Sequence, residues 1–87
     1  MTNPAALVTA EDIHQLVRTA APEAIGDAAV DTPFDQLEVD SLTLVEIAVL
    51  TSQKYGPVVH DWEIAEAGTF AALAQLVNER RVLEAAS

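Results

Sequence analysis

The chain has 87 residues, enough for one small domain that buries only about 60% of its unfolded surface. Its formal net charge is −10, with 14 acidic residues against Arg18, Lys54, Arg80 and Arg81, which disfavours nucleic acid as a partner and, for the same reason, an anionic membrane surface. The absence of cysteine excludes disulfides, thiolate catalysis and cysteine-ligated zinc.

The same acidity fits a basic protein partner, steered by opposite potentials, or solubility alone. The first residues lack the basic and apolar regions of a signal peptide, and no run nears the ~18 apolar residues of a membrane span, so a cytoplasmic protein is expected. Much of the hydrophobic content is alanine, which buries little area. Phe34, Tyr55, Trp62 and Phe70 are the side chains large enough to anchor a core.

In chain order, residues 1–8 are expected as a flexible tail, residues 9–83 as the folded domain and residues 84–87 as a C-terminal tail. Thr9 caps a first helix whose opening Glu11 and Asp12 suit its positive end. Ile13, Leu16, Val17 and Ala20 form one apolar stripe, and Pro22 stops the helix near Ala20. Residues 21–39 follow as a long connection. Glu23, Asp27, Asp31 and Asp35 would stack as like charges on a continuous helix, and Gly26 and Pro33 break one, so a solvated loop with at most a short turn is predicted. Its anchors are Ile25, Val30, Phe34 and Leu37, the last two spaced to share one turn.

A second helix is predicted from Ser41 to Tyr55, ending at Gly56-Pro57. Leu44, Ile47, Ala48, Thr51 and Tyr55 lie on one face, assigned to the core. Leu42, Val45 and Val49 lie nearly opposite, beside Glu46 and Gln53, and are expected to stay exposed. Asp61 caps a short third helix over residues 62–67, closed by Gly68. Thr69 caps a fourth, with Phe70, Leu73, Leu76 and Val77 inward and Arg80 and Arg81 near its negative end. The sum is an all-α protein: a small antiparallel four-helix bundle, three helices longer and the third short, with a long first loop.

Ser41 is the hydroxyl of interest, because it opens a helix. It is either a cap, a role Asp40 could also fill, or a modification site, where a phosphate ester would meet free amides and the helix dipole. A catalytic role would need a base and an oxyanion hole. His14 and His60 are tied to Ser41 by no motif, the flanking residues are not a G-x-S-x-G elbow, and no metal site is formed by two histidines without arbitrary carboxylates. Trp62 is expected to lie over the second and fourth helices, with a pocket or partner contact as the alternative.

Phe34-x-x-Leu37-x-x-Asp40-Ser41-Leu42, followed by Val45-Glu46-Ile47, Tyr55-Gly56, Val59, Asp61 and Thr69-Phe70, resembles an acyl carrier protein over residues 9–82. The resemblance implies that Ser41 receives 4′-phosphopantetheine from coenzyme A through a phosphopantetheinyl transferase. The arm's thiol would carry acyl groups as thioesters, so the protein would be a carrier and not an enzyme. Asp40 and Glu46 then match acidic contacts to basic enzymes, and Leu42, Val45 and Val49 match an apolar docking patch. Ile47 and Ala48, with residues near Trp62 and Ile64, would line a cargo cleft. Partners would be the transferase together with acyl-loading, condensing and tailoring enzymes, met by a freestanding monomer.

The chain departs from the family pattern at Glu38, where glycine is common, and at Thr43 and Ser52-Gln53-Lys54, where acids are common. A more apolar docking surface and a polyketide, fatty-acid or related specialised pathway are the expectations. The missing paired glycines favour acyl cargo over aminoacyl or peptidyl cargo. The alternatives are a peptidyl carrier, an unmodified acidic helical module that binds a basic protein, and, for want of a base a distant third, a small hydrolase using Ser41.

Overall fold

A computed structural model describes residues 7–86 as helices α1 (Ala10–Ala20), α2 (Pro22–Ile25), α3 (Ser41–Tyr55), α4 (Asp61–Ala67) and α5 (Phe70–Ala86), with a 3₁₀ turn at Phe34–Gln36. The four expected helices are α1, α3, α4 and α5, so the architecture is the small helical bundle the spacing predicts. The addition is α2. Pro22 stops α1 and also starts α2, because its fixed φ and missing N–H suit a first helical turn.

α1 begins with a reciprocal capping box: Thr9 Oγ1 accepts from the Asp12 N–H at 3.1 Å, and Asp12 Oδ2 accepts from the Thr9 N–H at 2.9 Å. Its stripe buries Ile13 and Val17 completely against α5 and α3. The expected tail of residues 1–8 lies outside the described residues as far as residue 6. Val8, within that stretch, belongs to the core: the Asn78 side chain accepts its N–H and donates to its carbonyl, both at 2.8 Å. At the other end α5 continues through Glu84 to Ala86, and residue 87 lies outside the described residues.

α3 buries Ile47, Ala48 and Thr51, with Leu44 and Tyr55 half-buried, so the predicted core stripe faces inward. α4 contributes Ile64, and α5 contributes Phe70, Leu73, Ala74 and Val77. Phe70 is the centre of an aromatic group: Phe34 meets it edge-on at 4.9 Å and His14 at 5.2 Å. His14 is therefore a packing residue, and its Nε2 lies 3.0 Å from the Ala28 carbonyl of the long connection.

That connection is held by its predicted anchors. Ile25 and Phe34 are buried, Val30 and Leu37 half-buried, and the Leu37 N–H bonds the Phe34 carbonyl at 3.0 Å. Gly68 ends α4 in the left-handed conformation, φ +77°, and its carbonyl accepts the Phe34 N–H at 2.8 Å. One turn thus closes a helix and ties the loop before α3 to the bundle.

Three sequence expectations are corrected. Asp61 is the first residue of α4 and not its cap. The chain is extended at His60, and Glu63 reaches back to accept the His60 N–H at 3.0 Å. Trp62 is not packed away over α3 and α5; it is 58% exposed, stacks on His60 and lines a hollow beside Ala72 and Leu76 of α5, which is the alternative reading. Arg80 does not sit at the end of α5, which runs on to Ala86; it pairs with Glu63 and donates to the Val58 carbonyl at 2.9 Å. Among the described residues no helix is long and apolar enough to cross a membrane.

Candidate functional site

Asp40 begins the site. Its backbone is extended, and its Oδ1 accepts the Thr43 N–H at 2.8 Å and the Thr43 hydroxyl at 2.9 Å. Those bonds, the backbone one foremost, hold the Asp40 carboxyl below the ordinary aspartate value, so it stays ionised over the positive end of α3. Asp40 is therefore the cap, and Ser41 is not.

The consequence falls on Ser41. As the first residue of a fifteen-residue helix it is exposed, and its Oγ has no hydrogen-bond partner among the described residues. An N-cap serine would have its oxygen committed to an amide two or three residues on. This hydroxyl is free to be esterified without loosening α3. A phosphodiester there meets the dipole of a full-length helix, and nothing buried must move to admit it.

The surface running from Ser41 is apolar. Leu42 is 76% exposed, Val45 45% and Val49 49%, and all three lie on α3 opposite the buried Ile47 and Thr51. Glu46 is exposed among them and is the only acid on this helix. So the structure brings Asp40, Ser41, Leu42, Val45, Glu46 and Val49 onto one end and side of α3. Between α3 and the α2 region lies a hollow of about 290 Å³, walled by Ala21, Ala24 and Leu42 and edged by Glu23, Glu38 and Asp40. The Glu38 N–H bonds the Ala24 carbonyl at 3.3 Å, which fixes that edge.

The expected cargo-cleft residues are not all brought together. Ile47, Ala48 and Ile64 are buried together in the core, while Trp62 is largely exposed and lines a separate hollow. No group of three or more histidine or carboxylate residues able to hold a metal occurs among the described residues. Among the described residues neither histidine is hydrogen-bonded to Ser41: His14 is engaged at Ala28 and Phe70, and His60 is stacked on Trp62.

Two features escape a sequence reading. Thr43 holds Asp40 through both its backbone and its hydroxyl; the signal was an aspartate three residues ahead of a threonine at a helix start. Glu63 joins α4 to α5 through Arg80, seventeen residues away, and only its capping half, His60-x-x-Glu63, is visible locally.

The chain matches the family described as "Phosphopantetheine attachment site" over residues 11–77. It is 33% identical over 69 residues to the protein named "Acyl carrier protein" of Rhodococcus erythropolis, an alignment that covers 78% of this chain and 76% of that one. No solved structure matches significantly.

Proposed function

Since the chain belongs to the phosphopantetheine-attachment family of acyl carrier proteins, we propose that Ser41 is the residue to which its 4′-phosphopantetheine is joined. Members of this family are carriers and not catalysts, and the covalent arm supplies the thiol on which an acyl group travels as a thioester. The observation that carries the assignment is the exposed, unengaged Ser41 hydroxyl beside a cap made entirely by Asp40 and Thr43.

The chain's own residues do three things in this reading. Asp40 and Thr43 fix the first turn of α3, so Ser41 is presented in one orientation to the transferase. The long connection, tied at Gly68 and Ala24, keeps the approach to Ser41 open. Leu42, Val45 and Val49, with Glu46 and Asp40 as charged edges, dock the transferase and then the enzymes that load, extend or tailor the acyl group.

The pathway is proposed from α3. With one acid among fifteen residues, that face selects partners by apolar fit more than by charge. This favours polyketide or a related specialised biosynthesis over a general acid-reading fatty-acid system. Incubation with coenzyme A and a promiscuous transferase, followed by intact mass, tests the attachment. One phosphopantetheine per chain is expected, and none on Ser41→Ala. No adduct, from a transferase active on a control carrier, would sink the proposal, as would an adduct that persists on Ser41→Ala.

A further inference from the structure

Trp62, the second residue of α4, is the bulkiest side chain left in solvent, 58% exposed. The fold does not need it there, since Ile64 makes the inward contact of α4. Its indole nevertheless has an aromatic neighbour. The His60 imidazole lies parallel to it, 6° between planes and 5.8 Å between centroids. The turn that carries both rings is fixed in turn: Glu63 accepts the His60 N–H and pairs with Arg80 of α5, and Arg80 also bonds the Val58 carbonyl. A tryptophan ring offers a large contact area on few rotatable bonds and so loses little freedom on being covered, which is why tryptophan serves so often as an interface anchor.

Beside the indole, between α4 and α5, is a hollow of about 260 Å³. Trp62, Ala67, Ala72 and Leu76 wall it, and the two alanines leave the space. Glu63 and Glu66 form its rim. A hollow of this size takes a side chain or two and not a helix.

Charge decides what covers it. Glu63 is matched by Arg80, whereas Glu66 is exposed at the rim of a chain that carries a net −10. A second copy also carries a net −10 and would be repelled as a whole, and an anionic lipid surface would be repelled likewise. A basic protein segment is the complementary occupant. We propose that the α4–α5 groove docks a partner protein through a segment in which one apolar side chain stands beside an arginine or lysine. The apolar chain enters the hollow against Trp62, and the cation meets Glu66 and the open side of the indole. The surface lies on α4 and α5, so it stands apart from the α3 stripe and is independent of the assignment of Ser41.

The test is an NMR titration of the ¹⁵N-labelled full chain with the blocked peptide Arg-Leu-Phe-Arg, against Glu-Leu-Phe-Glu and Arg-Gly-Gly-Arg as controls. The Trp62 indole N–H and amides within residues 62–76 are expected to shift saturably. Affinity should fall about tenfold or more for each control peptide and for Trp62→Ala or Glu66→Arg. Both positions are exposed, so both variants should keep the wild-type circular dichroism and α3 amide positions. Four outcomes overturn the proposal: no saturable shift at millimolar peptide; shifts that follow α3 instead; equal binding of the acidic peptide; or the same residues shifting with protein concentration in the absence of peptide.

Discussion

Asp40 and Ser41 are neighbours with divided roles. The carboxylate caps α3, and the hydroxyl beside it is left without a structural task. Asp40→Ala, which removes the N-cap, should lower the urea midpoint. Ser41→Ala, which removes no bond, should leave that midpoint unchanged. A drop for Ser41→Ala as large as for Asp40→Ala would mean that the serine is the cap after all. Glu63 offers a second residue-level test. The Arg80 guanidinium, aided by the His60 N–H, pulls its carboxyl down to about 2 from an ordinary 4.5. A depressed folded-state value means that its stabilisation is complete above the unfolded value and is lost as pH falls from 4.5 toward 2. Glu63→Gln should therefore destabilise the protein at neutral pH, by about 1 kcal/mol for a part-buried pair at the surface, and flatten that part of the acid limb. Thermal melts at stepped pH report both effects.

At the scale of the element, α3 is apolar on two sides with opposite fates. Ile47 is 1% exposed and Val49 49%. Ile47→Ala should cost about 2–4 kcal/mol, by lost burial and an unfilled cavity. Val49→Ala should change stability by no more than about 0.5 kcal/mol while weakening the encounter with the transferase. Equal destabilisation by the two would contradict the division of the helix into buried and exposed faces. The division was legible in the sequence, because Leu44, Ile47, Ala48, Thr51 and Tyr55 recur at helical spacing and the other stripe is shorter. The Phe34–Leu37 turn was legible for the same reason. α2 was not. Pro22 carries both a stop and a start signal, and only packing of Ala24 and Ile25 against α1 shows that the second prevails. Trp62 was misplaced because burial is the common fate of a lone tryptophan. What keeps it outside is the cap at His60 and Glu63, which sets the rotation of α4 so that Ile64 takes the inward position. The Glu63–Arg80 pair spans two helices, and no local pattern announces such a contact.

For the whole molecule, three of the long-range hydrogen bonds brace the loop before α3 and the entry to α1. Gly68 holds Phe34, Ala24 holds Glu38, and Asn78 holds Val8. The effect is a small bundle whose first loop, long as it is, arrives at Asp40 in a set conformation. The proposed carrier role uses that arrangement: one hydroxyl at the start of α3, with an exposed apolar face beside it. The most direct measurement locates the arm. Trypsin should release residues 19–54 as one fragment, which contains Thr19, Thr32, Ser41, Thr43, Thr51 and Ser52 as possible acceptors. Fragmentation of that peptide from the phosphopantetheinylated protein should place the whole added mass on Ser41. Added mass on Thr43, Ser52 or any other residue, with Ser41 unmodified, would contradict the account.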